Sequence, residues 1–118
     1  MSIDWSFDDT NLVTIRVSGM LTKPELDTCQ SEIEPHIRQG NANFLVLLDA
    51  FHGWSREEGW GNISFPERND PYIDKIAIVG DEKWRDLVAM FTMRDLRDVS
   101  IEYFEPDQES KARQWLYE

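Results

Sequence analysis

The chain has 118 residues, which suffices for one hydrophobic core and is too short for two domains. Twelve basic and 23 acidic residues give it a formal net charge of −11. That charge excludes a nucleic-acid partner, since phosphate contacts need clustered Lys and Arg. It also limits association with anionic membranes to a peripheral and transient contact.

The N-terminal segment predicts an antiparallel hairpin. Apolar and polar residues alternate over residues 3–7 and again over residues 12–18, with polar turn residues between them. We expect Gly19 to end the second strand. The first residues include no basic segment or long apolar run, so no signal peptide is visible and the sequence predicts a soluble cytoplasmic protein.

A helix should follow the hairpin. Residues 22–25 match a capping box, in which the side chains of Thr22 and Glu25 satisfy backbone groups at the helix start. Pro35 predicts a kink or a break near the end of this helix, and Gly40 closes it. Cys29 lies on the apolar face, where we expect a buried and unreactive thiol.

Residues 44–48 form an unbroken apolar run, typical of a strand buried on both faces of a sheet. We expect this strand to stop at Asp49 and to lead into a loop that contains Phe51, His52 and Trp54. Ligands of open α/β sheets usually bind beyond the carboxyl ends of such strands. A functional site is therefore expected at this loop.

The second helix is predicted to be weak. Residues 55–58 form another possible capping box, with Ser55 as the cap. Gly59 and Gly61 follow, and each costs about 1 kcal/mol relative to Ala inside a helix. Pro66 is expected to end the element, and residues 67–71 are interpreted as a polar linker.

The rest of the chain alternates strands with helices. We expect strands over residues 75–79 and 99–104 and a last helix from Pro106. Gly80 is interpreted as giving backbone freedom to a tight turn, with Asp81 as the cap of a helix. The apolar stripe of that helix has helical spacing and comprises Trp84, Leu87, Val88 and Phe91. This order predicts an α/β domain with a mixed, mostly parallel sheet of about five strands and four helices.

Several segments resemble the bacterial SpoIIAA-like family of STAS-like domains. They are VSGMLT at 17–22, LLDAFHGW at 47–54, IAIVGDEKW at 76–84, YF at 103–104 and ARQWL at 112–116. The resemblance implies one STAS-like domain over residues 1–118, related in shape to lipid-carrying Sec14-type domains. It also implies a possible apolar pocket and no established chemistry.

One feature departs from the related anti-sigma-factor antagonists. In those proteins the phosphorylated Ser directly follows the Asp at the end of the central strand. Here Ala50 follows Asp49, and the nearest serine is Ser55. The phosphorylation switch therefore does not carry over to this chain.

Catalytic and metal-binding groups are sparse in the sequence. Asp49 and Asp81 both end predicted parallel strands, but capping explains such positions better than acid–base catalysis does. His52 lies in the expected site loop, and neither histidine has the spacing of a metal motif. We therefore predict no catalytic residue, no metal site and no cofactor.

Aromatic residues cluster around the central loop and the weak helix, and they support two interpretations. They can form ordinary core, or they can cover a pocket beneath a helix that opens easily. The leading hypothesis is a non-enzymatic domain that binds a lipid-like or other apolar small molecule. Its expected ligand-binding residues are Asp49, Phe51, His52, Trp54, Trp60, Phe65, Asp81 and Trp84. The alternative is a protein-interaction or regulatory domain in bacterial signalling that lacks the phosphorylatable serine and uses its acidic surface against a basic partner. An exposed aromatic patch could equally form a homodimer interface.

Overall fold

The computed structural model describes residues 3–8, 10–38, 40, 42–57, 59–60 and 64–118. Its five strands are β1 (Ile3–Phe7), β2 (Leu12–Leu21), β3 (Ala42–Trp54), β4 (Ile73–Val79) and β5 (Ser100–Phe104). The helices of the described residues are α1 (Lys23–Ile37), α2 (Ser64–Asn69), α3 (Arg85–Phe91) and α4 (Glu109–Leu116). The strands lie in the order β1-β2-β3-β4-β5, with β1 antiparallel to β2 and every other pair parallel. This confirms the predicted α/β architecture.

The sheet separates two hydrophobic clusters, because successive side chains of a strand point to opposite faces. On one face, Phe44, Ile76 and Ile78 pack with residues of α1 and with Val88 of α3. On the other face, Leu45 and other strand residues pack with α4. The protein therefore has three layers, with α1 and α3 on one side of the sheet and α4 on the other. No helix within the described residues is both long enough and apolar enough to cross a membrane.

Helix α1 begins as predicted. The side-chain oxygen of Thr22 accepts a hydrogen bond from the backbone N–H of Glu25, and Pro24 occupies the first turn. We expected a kink or a break at Pro35, and the helix continues through Pro35 to Ile37, so it does not break there. Gly40 follows with a φ of +103° and donates its N–H to the carbonyl of Ile37, which closes the helix.

Strands β2 and β3 are longer than predicted. Near the point where we expected each strand to end, one residue has a left-handed backbone, and the strand pairing continues beyond it. Gly19 has a φ of +64° and lies at a register shift, after which β2 continues to Leu21. In β3, Ser18 pairs with Asp49 and Gly19 pairs with Phe51, so Ala50 is an extra residue with a φ of +53°. The expected loop after Asp49 is therefore strand as far as Trp54.

The prediction for the second helix was wrong. Ser55 does not cap a helix, since its backbone N–H donates to the carbonyl of Leu21 and extends the sheet pairing past β3. Helix α2 spans Ser64–Asn69, and Pro66 lies within its first turn instead of ending the element. Residues 67–71 belong to α2 and the following 3-10 turn, so they are not a linker. Glu58 and Gly61 lie outside the described residues.

The segment after β4 follows the prediction in part. The Asp81 side chain accepts a hydrogen bond from the backbone N–H of Lys83 and caps a 3-10 turn that precedes α3. Val88 is buried, but Leu87 is 47% exposed, so the predicted apolar stripe does not face the core throughout. The short α3 buries a narrower face than helical spacing indicated.

Candidate functional site

A cavity of about 210 Å³ lies between the sheet and the layer formed by α1, α2 and α3. Its floor is the middle of the sheet, where Val46 and Leu48 of the central strand are only half-buried. On the opposite face of the same strand, Leu45 is 0% exposed and Leu47 is 5% exposed. The centre of a sheet is normally its most buried part, so the contrast shows that the helical layer leaves space above the central strand.

Aromatic side chains form one wall of this cavity. Of the predicted ligand-binding residues, Phe51, Trp54, Trp60 and Phe65 line it, together with Phe91. The ring centroid of Phe91 lies 5.1 Å from that of Trp54 and 5.7 Å from that of Trp60. The indole N–H of Trp60 donates to the carbonyl of Ser55 at 2.9 Å and fixes that ring at the wall.

Trp84 supports this wall from behind. Its ring lies 4.9 Å from Phe51 and 6.0 Å from Trp54 in edge-to-face contacts, but it does not line the cavity. It also covers Gly53, where an added Cβ atom would lie 3.3 Å from the Trp84 ring. The close packing of Trp84 against Gly53 holds Phe51 and Trp54 in place.

The three polar residues of the predicted site lie elsewhere. Asp49 and His52 are exposed on β3, and His52 follows the buried Phe51, so it points away from the cavity. Asp81 caps the turn before α3 and is exposed. The structure brings the aromatic residues together but does not add these polar groups to them.

Other polar residues line the cavity instead, namely Lys23, Gln30, Thr92 and Arg97. Arg97 donates to both carboxylate oxygens of Asp70, at 2.5 and 2.9 Å, and to the carbonyl of Thr92 at 3.2 Å. Only the position of Lys23, at the start of a helix with an apolar face, could have indicated from the sequence that a polar residue lines the cavity. Nothing in the sequence indicated that the loop after α3 returns Arg97 to the same cavity.

Cys29 also lines the cavity, and burial dominates its chemistry. The side chain is 3% exposed, and desolvation, followed by the charges of Glu32 and Asp4, raises the pKa of the thiol from 9.0 to about 12. The predicted buried cysteine is confirmed. Among the described residues, no group of three or more His, Cys, Asp or Glu side chains is arranged to hold a metal ion.

The raised pKa predicts slow alkylation of Cys29. At a pH below 9, a shift from 9.0 to about 12 lowers the thiolate fraction about 1000-fold relative to the unfolded chain. Iodoacetamide should therefore modify the folded protein at least 100-fold more slowly than the protein in urea, as measured by mass spectrometry. Equal rates in the two states would show that the thiol is neither buried nor desolvated.

Comparison with known proteins identifies the family of the chain and a solved structure with a similar fold. The SpoIIAA-like family profile matches residues 12–117. An uncharacterised protein of the DUF3478 family from Shewanella loihica PV-4, solved with a SpoIIAA-like fold, is similar with a TM-score of 0.73 and 14% identity. That similarity covers 97% of this chain and 91% of the other. The curated proteins contain no match. Since the profile covers nearly the whole described structure, the chain belongs to the SpoIIAA-like family.

Proposed function

We propose that this protein is a non-enzymatic binding domain that holds an apolar small molecule between the sheet and its helical layer. The observation that carries the proposal is the cavity of about 210 Å³ above the half-buried Val46 and Leu48. An empty space of this size inside a small core forfeits packing energy, which a ligand would restore. Membership of the SpoIIAA-like family and the STAS-type fold support a regulatory or binding domain.

The cavity volume limits the size of the ligand. A cavity of about 150 Å³ lined by Leu, Ile and Phe accommodates benzene. Scaling from that case, a cavity of 210 Å³ holds roughly eight carbon atoms. The ligand is therefore a small apolar molecule or the end of a longer chain.

A second candidate, a regulatory domain that binds another protein, is favoured by a different surface. Met90 is 74% exposed and Leu96 is 85% exposed, on α3 and just after it. A contiguous exposed apolar patch marks a contact site for other proteins, and this candidate requires Met90 and Leu96 to belong to one such patch. This surface could serve a protein partner or a second copy of the chain.

Native mass spectrometry of protein purified without detergent tests the two candidates together. We expect the folded chain to carry an additional mass that denaturation removes and that a solvent extract identifies as an apolar compound. The matched control is the same preparation after extraction with an organic solvent. An unliganded chain bound to a protein partner, or an unliganded dimer, would contradict the first candidate and support the second.

A further inference from the structure

We propose that the ligand is a single-chain amphiphile with an anionic head group, held at a polar cleft that adjoins the apolar cavity. The inference rests on the proposed function, because the cleft can select a head group only if the cavity receives the chain. It adds the chemical class of the ligand and the residues that recognise it.

The cleft lies between α1 and α2 and has a volume of about 160 Å³. Its lining residues are Lys23, Asp27, Gln30, Ser31, Ser64, Phe65 and Arg68. Three of them, Lys23, Gln30 and Phe65, also line the apolar cavity. The two spaces therefore adjoin along the first half of α1, and the proposal places the chain of one elongated molecule in the cavity and its head group in the cleft.

Charge distinguishes this region from the rest of the molecule. Among the described residues, the charged groups that line the cavity are two cations, Lys23 and Arg97. The cleft adds a third cation, Arg68, and a single carboxylate, Asp27. Glu34 and Asp70 pair with Arg68 and Arg97 from outside the lining, so an anionic ligand would share these cations with their carboxylates and bind through their remaining N–H donors.

Lys23 occupies the junction of the two spaces. Its side chain is 13% exposed and pairs with Asp27, whose own side chain is 55% exposed. The methylene stem of a lysine packs along apolar surface while its ammonium group turns to a polar neighbour. The ammonium group has three donors, so it can bind a ligand oxygen while the contact with Asp27 persists.

Arg68 lines the cleft, and Arg97 lines the cavity. Arg68 is half exposed and donates to Glu34 at 3.1 Å, an exposed pair that contributes little and can share its guanidinium group with a ligand. Arg97 is 11% exposed and holds Asp70 through two hydrogen bonds, so most of its donors are engaged. The head group should therefore lie at the cleft, between Lys23 and Arg68.

The test compares ligands that have the same chain and different head groups. Decanoate, 1-decanol and decylamine each provide about eight carbons for the cavity and a head for the cleft. Isothermal titration calorimetry at about pH 8 should show decanoate binding roughly tenfold more tightly than 1-decanol, and decylamine binding most weakly.

Variants identify the group responsible. Lys23→Gln should weaken decanoate binding roughly tenfold and 1-decanol binding much less, whereas Lys23→Arg should keep the preference. Arg68→Gln should weaken decanoate binding about two- to threefold because that side chain is half exposed. Arg38→Gln is the matched control, since Arg38 also contacts Glu34, at 3.6 Å, but lines neither space.

The outcomes separate the two proposals. Equal affinity for decanoate and 1-decanol, or tightest binding of decylamine, would overturn the head-group inference and leave the apolar-binding function standing. Failure of all three ligands to bind would overturn the proposed function itself. A decanoate preference that Lys23→Gln does not reduce would show that the cleft is not the head-group site.

Discussion

Val46→Phe should weaken binding of apolar ligands at least tenfold without destabilising the domain. Val46 lies in the middle of β3, is half-buried and faces the cavity. A larger side chain normally costs about 1–3 kcal/mol in a well-packed core, because it forces neighbours out of position. Here the additional carbon atoms enter existing space, so we expect the free energy of unfolding to stay unchanged or to rise. Affinity for a neutral dye such as Nile red should fall at least tenfold, since the ring takes the space of the ligand.

The matched control is Val79→Phe, the same substitution on the opposite face of the sheet. Val79 is 5% exposed, packs in the cluster that contains α4 and lines neither the cavity nor the cleft. This variant should lose about 1–3 kcal/mol of stability and keep its affinity for the dye. Urea denaturation and fluorescence titration measure the two quantities. Equal destabilisation by both substitutions would show that the residues around Val46 are ordinary core.

The architecture could be predicted from the sequence because hydrophobic periodicity determines it. The unbroken run at residues 44–48 forms the central strand with helices over both faces of the sheet, and alternation defined the hairpin. The extent of β3 could not be predicted in this way. Ala50 adopts a left-handed conformation that alanine rarely takes, and the pairing with β2 imposes it across a bulge. Only the neighbouring strand specifies that geometry.

The candidate site could be predicted in one respect and not in another. Four of the predicted aromatic residues line the cavity, because large apolar groups that follow the central strand need burial and the helical layer over this face of the sheet provides it. The predicted polar contacts came from the general rule that ligands bind beyond the carboxyl ends of parallel strands. Here the cavity lies over the face of the sheet, so Lys23 and Arg97 approach it from the helical layer instead.

Gly80 shows how one residue type can have two different physical roles. The sequence suggested that Gly80 supplies backbone freedom for a tight turn after β4. The φ angle of Gly80 is not positive, so any L-amino acid could adopt this backbone conformation. An added Cβ atom would instead lie 2.6 Å from the Tyr103 hydroxyl and 2.8 and 3.0 Å from two carbon atoms of Leu48. Glycine is required here for space.

Gly80→Ala should therefore lower the free energy of unfolding by about 1–3 kcal/mol, the usual cost of overpacking a buried position. The Tyr103 hydroxyl cannot move away freely, since it donates to the carbonyl of Asp81 at 2.7 Å, and Leu48 Cβ is fixed to the central strand. Tyr103→Phe removes the nearest atom, and alone it should cost about 1 kcal/mol through loss of that hydrogen bond. The double variant should lose less stability than the sum of the losses in the two single variants, because the phenylalanine ring leaves room for the new methyl group. Urea denaturation of the four proteins measures this coupling, and strictly additive costs would exclude the Tyr103 hydroxyl as the atom that requires glycine at position 80.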